Sequence, residues 1–340
     1  MTQGDEKEVV IPESVLIGMR LGGTFMPYAT QAQKKLYEND KNNARFVHYT
    51  SAEAALGIIA SKRVWMRNTT CMSDYREVHH GFTIYRNFFS VEDKRRAFCD
   101  ALDACVPGAA AEALALFDQW WTSGPSGMAL NTYIASLSEH HDKEDAHGRL
   151  SMWRAFGTSK VARVAIVLRI PLYTGGAQAL NVLFSPVAYL KEAEVHASLY
   201  SVVENIRAEC DFLRSRDRSH VVAAVFIMLL AGVSCLKHEG FHEEREWRAI
   251  YNPKRLSSPH MPPSAEIVGG IPQTVYKFPI DETVCDELRG LDLSRIFDRL
   301  IIGPSPYPWV IYEAFVAALL KAGVKDAQDR VFTSGIPLRA

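Results

Sequence analysis

The sequence predicts an α+β fold built on a mixed sheet with helical insertions, and three observations lead there. Runs of strand length recur from residue 46 to the C-terminus, but without the steady βαβ rhythm of a doubly wound sheet. Two long stretches of helical periodicity, at about 75–122 and 190–238, interrupt them. The composition, 48% hydrophobic and 23% charged over 340 residues, suits a globular chain of one large domain or two, with ample length for a core.

Residues 1–44 read as an N-terminal extension, with Glu38-Asn39-Asp40-Lys41-Asn42-Asn43 as its polar linker. A single domain is expected over 45–335. Phe46 to Tyr49 is a strand. Thr50-Ser51-Ala52-Glu53 reads as a capping box, in which the Thr50 hydroxyl and the Glu53 carboxylate satisfy helix-end donors reciprocally. Ala54, Ala55, Ile58 and Ile59 follow at helical spacing, and Val64-Trp65-Met66 is a short strand beyond the basic stop at Lys62-Arg63. Three helices fill 75–121, broken near Val91 and at Pro107-Gly108. Thr132 to Leu137 and Ala162 to Ile170 are strands, the second stopped by Pro171. Leu180 to Tyr189 is another, which Pro186 marks as an edge or a break. Glu192 to Arg216 is an amphipathic helix and Ser219 to Lys237 a largely buried one. Trp247 to Tyr251 is a strand ended by the turn signal Asn252-Pro253. Val268-Gly269-Gly270-Ile271-Pro272 is a turn by composition. A strand at Leu300 to Ile302, a helix from Trp309 to Ala322 and a short strand at 330–332 complete the order.

A net charge of −1 supplies no field for steering nucleic acid, so any such role must rest on a local patch. The six cysteines form no CxxC pair, and reduced thiols in a cytoplasm are the expectation. The polar N-terminus does not read as a signal peptide, and the apolar run Val221 to Val233 is too short to span a bilayer. Walker, dinucleotide-binding, HExxH and GxSxG motifs are all missing. Asp74 and Glu77 with His79-His80 make a poor metal set, because adjacent histidines on a helix diverge.

Two segments far apart in sequence stand out. Phe46-Val47-His48-Tyr49-Thr50 brings two rings and a hydroxyl to a strand end. Glu244-Arg245-Glu246-Trp247-Arg248, at the head of another strand, places both carboxylates on one face, because strand side chains repeat every two residues. Between them lie Met72-Ser73-Asp74-Tyr75-Arg76-Glu77, Ser136-Leu137-Ser138-Glu139 and Leu150-Ser151-Met152-Trp153-Arg154-Ala155-Phe156-Gly157. With the first taken as His48-Tyr49-Thr50-Ser51-Ala52-Glu53-Ala54-Ala55-Leu56, the set resembles the bacterial domain-of-unknown-function 2971 family, whose pattern runs HYTS, NDPxE, SLS with MWxxYG, and ExEWR. The resemblance covers about residues 45–335. The chain departs from it at Ser73, Tyr75 and Phe156, where the pattern has Asn, Pro and Tyr.

The first motif also resembles the opening of ADP-ribosyltransferase folds, and this implies a split, mixed β-sheet core. By that resemblance His48, with Tyr49 and Thr50, binds the ribose of NAD. Ser138 or Trp153 flanks the nicotinamide, Glu246 is the catalytic carboxylate, and Glu244 orients the acceptor. The activity implied is NAD-dependent ADP-ribosyl transfer or NAD cleavage, in a bacterial toxin or phage-defence setting. The acceptor would be protein or nucleic acid, and no membrane is involved. Loss of nicotinamide leaves an oxocarbenium-like ribose that a fixed carboxylate stabilises. Two alternatives stand beside it: a nucleic-acid-modifying or phosphotransferase enzyme on the same fold, and a non-catalytic ligand-sensing or protein-binding module. A transferase needs His48 and Glu246 facing one cleft, whereas a structural corner buries Glu246 against Arg245 or Arg248.

Overall fold

The computed structural model describes residues 13–39, 44–71, 75–122, 131–155, 161–171 and 176–337. The protein is α+β, with a mixed, unclosed sheet. Its strands are β1 (Arg45–Ser51), β2 (Arg63–Asn68), β3 (Tyr133–Glu139), β4 (Arg163–Arg169), β5 (Val182–Pro186), β6 (Glu246–Tyr251), β7 (Pro263–Val268), β8 (Ile271–Pro279), β9 (Phe297–Ile302) and β10 (Val331–Thr333). The order runs β10-β9-β4-β1-β3-β2-β8-β7, with β6 and β5 branching from β3. Among these strands only the β9–β10 pair is parallel.

Strand β3 is the hub. One of its edges pairs with β6 along its length, from Tyr133↔Tyr251 to Ser138↔Glu246. The other edge is shared: β1 takes its end, through Phe46↔Glu139 and Val47↔Ser138, and β2 its beginning, through Arg67↔Ile134 and Asn68↔Tyr133. Ala135, Ser136 and Leu137 therefore face an opening on that edge, where β1 and β2 part.

The pleat sorts the two faces of the sheet. Ile134 and Ile250 join a helical core formed by α4 (Tyr75–Ser90), α5 (Glu92–Cys105), α6 (Ala109–Thr122), α8 (Glu192–Ala208) and α9 (Arg218–Ser234). Tyr133, Ala135 and Tyr251 point the other way, into a second core closed by α3 (Ala52–Ser61) and α10 (Pro308–Lys321). The short helix α7 (Leu150–Ala155) buries Met152 and Trp153. Helix α9 is apolar almost all round, and it is accordingly buried on most sides. Among the described residues no helix is long and apolar enough to cross a membrane.

Two local expectations are corrected, and the turn expected at Val268–Pro272 is found at Gly269-Gly270. The helix cap after β1 is Ser51, whose hydroxyl accepts from the Ala54 amide at 3.1 Å. The β1–β4 ladder runs on past Thr50 to Ser51, opposite Arg163, so the helix starts only at Ala52 and the Thr50–Glu53 capping box does not form. The helix expected over Glu192 to Arg216 breaks at Glu209 into α8 and a single turn, Cys210–Arg214. The Val268–Pro272 turn joins two strands that the sequence reading leaves unassigned. Gly269 and Gly270, with φ of 60° and 81°, supply the two left-handed positions of a tight hairpin.

Of the 1–44 extension, residues 13–39 fold as α1 (Glu13–Phe25) and α2 (Pro27–Asn39). Phe25 enters the helical core, and Tyr37 packs with Phe46 and Trp247 while its hydroxyl donates to the Ile170 carbonyl at 3.0 Å. Much of the polar linker, at 40–43, lies outside the described residues.

Helices α4 and α9 cross closely because Gly81 has no side chain: a Cβ there would stand 2.6 Å from the Val233 carbonyl oxygen. Alanine is the better helix former by about 1 kcal/mol, yet Gly81→Ala should lower stability by about 1–3 kcal/mol through overpacking. Urea unfolding measures this, and a stabilised variant would contradict the crossing.

Candidate functional site

Glu246 opens β6, and its neighbours decide its state. Arg248, two residues along on the same face, is 1% exposed. It forks onto the carboxylate through Nε to Oε1 at 2.8 Å and Nη2 to Oε2 at 3.0 Å, and its Nη1 donates to the Ser234 carbonyl at 2.6 Å. Lys237, also buried, lies 3.4 Å from Glu246 Oε2 and 2.7 Å from Glu244 Oε2. Burial works to raise the Glu246 pKa, but Arg248 first and Lys237 second hold it below the usual carboxylate range. The Glu246 amide donates to the Tyr189 hydroxyl at 2.9 Å. Buried Ser136 Oγ stands near enough to favour the carboxylate, yet it makes no bond of proper geometry, and Ser234 Oγ is likewise buried without a partner.

Glu244 does not share a strand with Glu246. It is the last residue of a 3₁₀ turn, Glu239–Glu244, and Arg245 turns the chain with φ of 45° before β6 begins. The two-residue strand period therefore does not apply to the pair. What brings the two carboxylates together is Lys237.

A second charged node lies beside the first. Glu144 is buried and bonded by Arg149 Nε at 3.1 Å, by Arg245 and by the His141 amide at 3.1 Å. Burial opposes its ionisation, but these partners bring its pKa down to about 2. Arg149 also reaches the carbonyls of Glu139, Glu243 and Glu244 at 2.7–2.8 Å, and its amide donates to Tyr49 Oη at 2.8 Å. One residue thus ties β1, the end of β3 and the turn before β6. At the start of β1, Arg45 pairs with Asp142, Asp145 and Asp298, and His140 Nε2 meets Asp145 at 2.9 Å.

The predicted site residues divide between the faces. Ser138 pairs with Glu246 and also with Val47, so Val47, Tyr49, Ser138 and Glu246 share one face. Trp153 is on that side too: its ring meets Tyr49 edge-on at 4.9 Å, and its Nε1 donates to the His147 carbonyl at 2.7 Å. It is buried with Met152, Val167 and Ile301. Burial pushes the Tyr49 phenol up to about 12. His48 and Thr50 alternate to the opposite face, where their ladder partners Ile166 and Val164 belong to the second core. The expected convergence of His48 and Glu246 on one face is therefore not what the pleat provides. His48 Nδ1 instead lies 2.9 Å from the Ser136 carbonyl, at the opening on β3. Burial lowers its pKa against that bond, so the ring is neutral at pH 7 and Nε2 is an acceptor.

An apolar cavity of about 80 Å³ lies beneath Met26 and Tyr28, against Leu199 and Met228, with Ser185 and Cys235 along its wall. A second depression follows α4 at His79, Thr83 and Arg86. Neither is lined by a predicted site residue. Met72–Asp74 of the second motif and Phe156-Gly157 of the third lie outside the described residues. Sequence reasoning missed Lys237, Arg149, Glu144 and Tyr189. Lys237 had a signal, as the single cation closing the uncharged run from Val221; the other three had none. Comparisons with protein-family models, with curated proteins and with solved structures found no match.

Arg248→Met leaves Glu246 buried beside Lys237 with its fork removed, and should cost about 3–5 kcal/mol. The double variant Arg248→Met/Glu246→Leu should recover much of that loss, as chemical denaturation of the set would show. For Glu144 the folded pKa is depressed, so its stabilisation is complete above the ordinary carboxylate pKa and is lost as pH falls toward about 2. The stability difference between wild type and Glu144→Gln should therefore shrink steadily over that acid window in melting experiments.

Proposed function

We propose that this chain is a ligand-sensing or protein-binding module in which the Glu244–Arg248 segment is a structural corner and not a turnover site. One observation carries the reading: both Glu246 oxygens are already engaged, by the Arg248 fork and by Lys237. A carboxylate that must stabilise a developing ribosyl cation needs an oxygen free to face it. Here a cation would have to displace a buried guanidinium or ammonium. Resemblance to the domain-of-unknown-function 2971 family, resting on the four motif segments, fits either role, because residues that build a corner recur as readily as residues that react.

NAD-dependent ADP-ribosyl transfer on an ADP-ribosyltransferase-like fold is the second reading. The opening on β3, bridged by His48 with Nε2 as an acceptor, supports it: the split core that this resemblance implies needs such a gap. Under it, NAD at 100 times its dissociation constant adds about 2.7 kcal/mol of stability, and Glu246→Gln lowers turnover by roughly a hundredfold.

NAD consumption and NAD-induced melting shifts, measured with nucleic acid and with lysate as acceptors, separate the two. The corner reading expects no turnover from wild type, with Glu246→Gln altering the melting temperature alone. NAD turnover lost in a folded Glu246→Gln protein would overturn it in favour of the transferase.

A further inference from the structure

Helix α10 has a face that nothing among the described residues covers. Phe315 and Leu319 anchor the helix in the second core. At about 100° per residue, the point opposite them is Ala317. Around it lie exposed Ala314 with Val310 (69% exposed) and Leu320 (52%), and Trp309 (70%) and Tyr307 (68%) extend the patch at the N-terminal end. Single exposed hydrophobic residues are ordinary on a monomer, but a contiguous run containing Trp and Tyr has the composition of an interface core.

We propose that this face is the interface of a homodimer, with α10 packed antiparallel on α10 of a second copy about a two-fold axis at Ala317. The charges on the face select a copy of the same chain as the occupant. Glu313 and Lys321 stand four residues before and four after Ala317, both are exposed, and neither takes part in an ion pair among the described residues. An antiparallel pair centred on Ala317 brings Glu313 of each copy level with Lys321 of the other, and the symmetry makes the contact twice. Alanine at the crossing lets the axes approach to about 8 Å, within reach of both side chains. The same face meeting itself thus covers its apolar centre and answers its own charges. This inference is independent of the function proposed above.

Sedimentation velocity and light scattering of the full chain over a range of concentrations test it. Wild type should be a dimer. Glu313→Lys and Lys321→Glu should each weaken the dimer by about tenfold or more, because each sets like charges together, and the double reversal should restore it. Ala317→Glu, at an exposed position, should give a monomer with unchanged circular dichroism and melting. Should that variant fold poorly, Ala317→Cys gives a second reading: a residue on the axis meets its own copy, so mild oxidation should produce a disulfide-linked dimer absent from wild type. A wild-type protein that stays monomeric at every concentration overturns the proposal. So does a dimer indifferent to Ala317→Glu and to both charge reversals, or one that Ala317→Cys fails to cross-link.

Discussion

A fully buried guanidinium is tolerable only when its charge is answered, and the pairing of Arg248 with Glu246 is the constraint on which the surrounding structure depends. Apolar packing has no direction, but a bidentate fork accepts only one geometry. Once Glu246 and Arg248 are joined, the first residues of β6 are set against the end of α9, because Arg248 also holds the Ser234 carbonyl. Lys237 then draws the Glu239–Glu244 turn onto the same point. The sheet is thereby located relative to the helical layer by a few directed bonds.

Arg149 plays a corresponding part on the other side of that seam. Its five-donor head has carbonyls and a carboxylate from three separate stretches of chain to satisfy, and its amide meets the Tyr49 hydroxyl. Trp153 and Tyr49 pack just beneath. Residues that the motif comparison offers as ligands are, in this geometry, also the residues that close a corner. Physical chemistry gives the same residue types both uses: carboxylates, arginines and aromatic rings make directed contacts whether the partner is a substrate or the chain itself.

How much was legible in the sequence depends on the range of the interactions involved. β1, β3, β4 and the three helices between 75 and 122 follow from periodicity and from breaks such as Pro107-Gly108, all of them local. β7 and β8 escaped because β7 begins at a proline and alternates between exposed and half-buried positions, so it shows no apolar period. The cap after β1 falls one residue later than the spacing suggests because strand pairing with β4 continues through Ser51 and the helix starts only at Ala52. In the site, Glu246 and Arg248 could be paired on paper by their spacing. Arg149 with Tyr49, and Arg245 with Glu144, could not, since about a hundred residues separate the members of each pair.

The sequence by itself determined the α+β class, most strand and helix positions, and which neighbours within a strand share a face. Those properties are set by local sterics and by a period that each segment carries alone. The tertiary structure alone decided that β3 has three partners and an opening between two of them, that His48 and Glu246 fall on opposite faces, and that Glu244 reaches Glu246 through Lys237. Each of these depends on hydrogen bonds and ion pairs between segments distant in the chain. No local pattern encodes such contacts, because each exists only when both partners are already in place.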